Sequence, residues 1–238
     1  MAPCDTSRPS GEKDSHRKIG VITIGQSPRV DLVPEISEIL GEGIEVLEAG
    51  ALDGLSIEEV RGFYPDKRDY ILCTRMADGT EVVVAKKFIL PRIQKHIQRL
   101  TTGGAEMILL LCTGKFPEFS SERLLIEPQM ILDHVIFALQ GEQRKIGLML
   151  PLQDQMEQAK KKYRKLKGEL ILQPASPYAK KDQISIAAKA FRKANPQIIV
   201  MHCMGYTRAM KNRVREITGK PVILARSLVA LTMKEMLR

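Results

Sequence analysis

The stretch Lys18-Ile19-Gly20-Val21-Ile22-Thr23-Ile24-Gly25-Gln26 recurs as Lys145-Ile146-Gly147-Leu148-Met149-Leu150-Pro151-Leu152-Gln153. A lysine, an Ile-Gly pair and a closing Gln hold the same places in both. Each opening leads into alternating apolar runs and helix-like segments. Each half later ends an apolar run on a cysteine: Met107-Ile108-Leu109-Leu110-Leu111-Cys112-Thr113-Gly114 in the first, Ile198-Ile199-Val200-Met201-His202-Cys203-Met204-Gly205-Tyr206-Thr207 in the second. Short β-rich runs of this kind read as buried parallel strands. A chain that alternates strand and helix through two such halves folds as α/β. The expectation is two pseudo-symmetric lobes, each a mostly parallel sheet flanked by helices.

Element by element, strands are expected over residues 18–24, 44–48, 106–111, 145–150, 169–173, 197–202 and 221–225. Helices are expected over 30–40, 87–101, 126–139, 153–166, 182–194, 207–218 and 227–237. A short helix opens at the Ser56-Ile57-Glu58-Glu59 capping box. Asp78-Gly79, set between the β-rich runs 70–74 and 81–85, signals a hairpin added antiparallel to the first lobe.

With 44% hydrophobic and 27% charged residues in 238, the chain can bury a full core. No apolar run approaches the roughly 18 residues of a membrane span. The first 17 residues lack an apolar signal region, and their Pro, Ser, Gly and charge read as a disordered tail. A cytoplasmic protein with free thiols is expected. Cys4, Cys73, Cys112 and Cys203 match neither a zinc pattern nor a small disulfide framework, so no metal site is expected. The net charge of +9 is uneven: residues 1–140 carry 16 Lys+Arg against 21 Asp+Glu, and residues 141–238 carry 21 against 7. A solvated basic surface and an anionic small ligand both fit this. Specific nucleic-acid binding is not expected, because aromatics for base stacking are almost absent from the basic runs.

In an open α/β sheet, ligands bind beyond the carboxyl ends of the strands, where both Cys112 and Cys203 fall. Two thiols on opposite sides of one carbon can take a proton from one face and deliver one to the other, general acid–base chemistry that calls for no cofactor. A thiol could instead act as a nucleophile. At least one of the two is expected to be partly thiolate near neutral pH, held so by a helix N-terminus. Cys73 and Cys4 are expected to serve no chemistry and to keep an ordinary thiol pKa. Gln26, Ser27 and Arg29 offer polar contacts to a carboxylate, as do backbone groups around Thr113, Gly114, Gly205 and Tyr206. Thr207 either contacts substrate or caps the next helix. His202 precedes Cys203, and strand alternation turns its side chain away from the thiol. Lys160-Lys161-Lys162 reads as a solvated face.

Three segments carry a family resemblance: Ile22-Thr23-Ile24-Gly25-Gln26-Ser27-Pro28-Arg29, Leu111-Cys112-Thr113-Gly114-Lys115-Phe116 and Cys203-Met204-Gly205-Tyr206-Thr207. Together they resemble the AroM family, over residues 18–238. That family is in turn similar to the aspartate/glutamate racemase superfamily, which also holds hydantoin racemases, maleate isomerase and arylmalonate decarboxylase. The resemblance implies an interlobe active site and cofactor-free cysteine chemistry, with Cys112 and Cys203 at the positions of the two catalytic cysteines. It also implies that the last segment returns to the first lobe, giving residues 18–140 with 224–238 as one lobe and 141–223 as the other. Glutamate racemases have Asn-Thr after the first cysteine and Thr-His after the second. This chain has Thr113-Gly114 and Met204-Gly205, so the amino-acid-binding set is incomplete. The expected function is a racemase or isomerase of a small carboxylic acid, with a homodimer left open. The alternative is a carboxylate-binding or regulatory protein that keeps the fold without turnover.

Overall fold

The computed structural model describes residues 17–237. The tail reading and Cys4 lie outside that range, except that Arg17 is the first residue of a strand. In chain order the elements are β1 (Arg17–Thr23), α1 (Val33–Leu40), β2 (Ile44–Gly50), α2 (Ile57–Arg61), β3 (Ile71–Arg75), β4 (Glu81–Ala85), α3 (Lys86–Thr102), β5 (Met107–Leu111), β6 (Leu124–Ile126) and α4 (Pro128–Ala138). The second half follows with β7 (Lys145–Leu150), α5 (Gln155–Lys162), β8 (Glu169–Pro174), α6 (Gln183–Ala194), β9 (Ile198–Met201), α7 (Arg208–Thr218), β10 (Val222–Leu224) and α8 (Ala225–Leu237).

Two four-stranded sheets result, in the orders β2-β1-β5-β6 and β8-β7-β9-β10, with every pairing parallel. The orders are the same once the strands of each four-stranded sheet are counted in chain order. The recurring Ile-Gly has a packing cause. A Cβ on Gly20 would lie 3.0 Å from Leu100 of α3, and one on Gly147 would lie 2.9 Å from Phe191 of α6. Each glycine lets a helix approach the first strand of its sheet. The neighbouring isoleucines, Ile19 and Ile146, point the other way into a core shared by both halves, with Leu148, Val200 and Val229. Ile22, Ile108 and Leu110 pack beneath α3, and Met149, Ile199 and Phe191 pack on the far side of the second sheet.

Several elements differ from expectation. β6 is only Leu124-Leu125-Ile126 and merges in the sequence with the apolar helix that Pro128 opens. α3 runs through Pro91 without stopping, where a proline inside a helical run predicts a break or a helix start. The hairpin β3–β4 is not an addition to the first sheet but a separate two-stranded ribbon. It is tied to both halves: the Arg75 carbonyl accepts from Gln26 N–H, and the Ile71 carbonyl accepts from the Gln155 amide. The Ser176 hydroxyl bonds to Glu81 of β4. α8 packs on α1 and α4 as well as on β10. No described helix is long and apolar enough to cross a membrane.

Candidate active site

β5 delivers Cys112 and β9 delivers Cys203, each just past the C-terminal end of the third strand of its sheet in chain order. The two thiols are bonded alike. Gly114 N–H donates to Cys112 Sγ at 3.3 Å, and Gly205 N–H donates to Cys203 Sγ at 3.4 Å. Both cysteines line one narrow cavity of about 60 Å³, together with Arg29, Thr113, Gly114 and Gly205. The ribbon strand β3 covers it with Ile71, Leu72, Cys73 and Thr74.

Neither thiol meets a helix N-terminus. A loop follows Cys112, and α7 begins five residues after Cys203. Burial therefore dominates, and it favours the uncharged thiol. The Cys112 thiol is pushed up to about 12 and that of Cys203 to about 11, against the help of the glycine N–H groups. Lys162 also draws Cys112 down, while Arg29 and Arg226 do so for Cys203. The expected thiolate near neutral pH is thus corrected: both are thiols in the free protein. Cys73 is corrected too. It lines the same cavity, and burial followed by the Glu81 carboxylate drives its thiol upward.

Of the candidate substrate contacts, Gln26, Ser27, Tyr206 and Thr207 do not line the cavity. Gln26 spends its amide on the carbonyls of Leu52 and Leu55 and on Ala77 N–H. Ser27 is clamped through its N–H and hydroxyl to Asp53. Tyr206 is fully buried and donates to the Ala175 carbonyl. Thr207 caps α7 by accepting from Met210 N–H. Arg29 does line the cavity, but it is 3% exposed and largely committed. It forks onto Asp31 at 2.8 Å twice, and donates to Thr23 Oγ1 at 2.8 Å and to the Tyr178 hydroxyl at 3.0 Å. One of its five N–H donors is left without a protein partner.

The sequence reading missed Tyr163, Lys162 and Tyr178. Tyr163 donates to Asp133 Oδ1 at 2.6 Å and lies 3.1 Å from His202 Nε2. Because the tyrosine proton goes to the carboxylate, its oxygen accepts from His202, which fixes the Nε2–H tautomer. Burial lowers the His202 pKa to about 3, so the ring is neutral. His202 lines the cavity beside Cys203 after all, because β9 ends at Met201 and strand alternation stops there. Lys162 leaves the solvated lysine run. Its ammonium is held 2.7 Å from Asp133, and its side chain is 17% exposed. Tyr163 and Tyr178 stand in the sequence as isolated aromatics, and nothing sets Lys162 apart from its lysine run. Among the described residues, no group of three or more His, Cys, Asp or Glu is placed to hold a metal ion.

A family model described as AroM protein matches residues 19–237. The chain belongs to the AroM family. Among curated protein sequences, nothing matches this AroM chain. Its fold is that of the racemase group. A glutamate racemase from Francisella tularensis subsp. tularensis SCHU S4, in complex with D-glutamate, superposes with a TM-score of 0.59 at 14% identity, over 94% of this chain and 81% of that one. An arylmalonate decarboxylase gives 0.57 at 14%, over 92% of each chain. A maleate cis-trans isomerase from Nocardia farcinica, carrying a covalently bound succinylcysteine intermediate, gives 0.57 at 14%, over 93% and 92%. At such identities the likeness establishes the AroM fold and leaves chemistry to the site.

Proposed function

We propose that this AroM protein is a cofactor-independent racemase or isomerase of a small carboxylic acid, with Cys112 and Cys203 as its acid/base pair. The observation that carries the reading is the matched setting of the two thiols: equivalent strand ends, equivalent glycine N–H donors, one cavity. One cysteine, as thiolate, takes the α-proton. The other, as thiol, gives its proton to the opposite face, so one proton enters and one leaves. The remaining Arg29 donor holds the carboxylate and the charge that develops on it, while the Gly114 and Gly205 N–H groups stay on the two sulfurs and favour whichever is thiolate. The cysteine adduct recorded in the maleate isomerase supports thiol chemistry in a cleft of this fold. The packing of α8 on α1 and α4 supports placing residues 224–238 with the first lobe.

The upward shift of both thiols favours a second reading, a carboxylate-binding protein without turnover. Incubation in deuterium oxide with a panel of small carboxylic acids separates the two. Exchange at the α-carbon that is abolished by Cys112→Ala and by Cys203→Ala establishes the enzyme. Binding of an acid without exchange establishes the alternative.

A further inference from the structure

Tyr70, Ile71, Gln158 and Lys162 form a wall with two sides. One side bounds the thiol cavity. The other bounds a groove of about 980 Å³ between α4 and α5. Gln129, Asp133 and Phe137, four residues apart, bring one face of α4 to it. Besides Lys162, six cations line the groove: Lys67, Arg68, Lys115, Lys161, Arg164 and Lys165. Among the described residues none of them has a carboxylate within ion-pair distance. Three of the acids beside them are already engaged. Asp69 pairs with Lys87 at 2.8 Å, Asp133 with Lys162 at 2.7 Å, and Glu157 with Lys160 at 2.6 Å.

A second observation points to a ligand. Gln129 is 6% exposed, and its Oε1 has no hydrogen-bond partner. Both amide atoms of Gln158, on the shared wall, are buried and equally unpartnered. Buried polar side chains seldom go unpaired in a folded protein. Here three such atoms border a groove with surplus positive charge, and one of the two side chains also borders the thiols.

We propose that the groove binds a second anionic group of the substrate, so that the substrate is a small acid with two anionic ends, either a dicarboxylate or a phosphocarboxylate. One end reaches the thiol cavity, which rests on the function proposed above. The other end sits among the groove cations, with the Gln158 amide contacting the ligand where it crosses the wall.

Isothermal titration calorimetry on the full chain, with acetate, glutarate, phosphoglycolate and inorganic phosphate, tests this. At least one two-ended acid should bind about tenfold or more tightly than acetate, the gain of one good charge-assisted contact. The Lys161→Glu, Lys165→Glu double variant should lose that advantage and keep acetate binding. Gln158→Leu should weaken the two-ended acids without lowering Tm, because the amide it removes has no partner to lose; a purely structural glutamine would lower Tm instead. Whether glutarate or phosphoglycolate gains more names the second group. The proposal is overturned if two-ended acids bind no better than acetate, or if the charge-reversed variant binds them as the parent does. Phosphate binding that disappears on charge reversal, with no carboxylic acid shielding the thiols from alkylation, would keep the groove as an anion site and remove the carboxylate from the cavity.

Discussion

At the two thiols, burial and hydrogen bonding pull in opposite directions, and burial wins. Alkylation reads the balance directly, since only thiolate reacts. In the native protein the iodoacetamide rate at Cys203 and Cys112 should climb about tenfold per pH unit from pH 7 to pH 10 without levelling. Cys203, at about 11, should run ahead of Cys112, at about 12. The urea-unfolded chain should reach half its maximal rate near the ordinary thiol pKa of about 8.5 and level above it. A plateau near pH 7 in the native protein would show a stabilised thiolate and remove the burial argument. The same shifts make stability depend on pH. Their folded pKa values lie above the unfolded one, so this contribution is whole below about pH 8.5 and is lost as pH rises toward 11 and 12. The free energy of urea unfolding should fall between pH 8 and 10.5, by up to about 1.4 kcal/mol per pH unit for each thiol. The double Cys112→Ala, Cys203→Ala variant should remove their share of that slope and leave the share of Cys73, whose thiol is also pushed up. Tyr163 carries a different load. Tyr163→Phe strands the His202 Nε2–H and takes one bond from Asp133, so it should cost about 1–3 kcal/mol in urea unfolding.

Among the elements, the two glycines at the start of β1 and β7 set how closely a helix may lie. Gly147→Val should overpack against Phe191 and destabilise by about 1–3 kcal/mol, and a second change, Phe191→Leu, should recover part of that. Additive losses in the double variant would show that the contact is not the cause. These glycines also explain why so much of the architecture was legible. A repeated Ile-Gly marks the same strand-to-helix contact twice, and apolar periodicity carried most other elements. The failures have local reasons. β6 has three residues, too few for a pattern. The ribbon β3–β4 was recognised from Asp78-Gly79, but nothing local says which sheet a hairpin joins. The strand ends that carry Cys112 and Cys203 could be read from runs of β-rich residues. The walls around them could not, because Tyr163, Lys162 and Tyr178 reach the cavity through packing between distant segments. The acidity of the thiols was illegible for a related reason: no local pattern shows how deeply a strand end is buried, and loops rather than helix starts follow both cysteines.

Over the whole molecule, α8 connects parts of the chain that neither sheet joins. Arg226 at its start is fully buried. It donates to the carbonyls of Met204 and Gly205, and its Nη1 lies 2.9 Å from Glu35 on α1. The loop after Cys203 is thereby pinned to the first half of the chain. Arg226→Met should cost at least about 2 kcal/mol, since it leaves buried carbonyls unpaired. It should also slow alkylation of Cys203 at fixed pH relative to that of Cys112, because a cation that favours the Cys203 thiolate is gone, read by mass spectrometry of the labelled peptides. Equal acceleration at both thiols would indicate general loosening instead. The same residue bears on handedness. The two halves share strand order and thiol setting, yet their cysteines have unlike neighbours: Lys162 for Cys112, Arg29 and Arg226 for Cys203. On the two-thiol reading, a planar intermediate between them presents one enantiotopic face to each. Thiols of unequal acidity would return protons to those faces at unequal rates, so the mirror-image products would form with different kinetic constants even where their equilibrium is even.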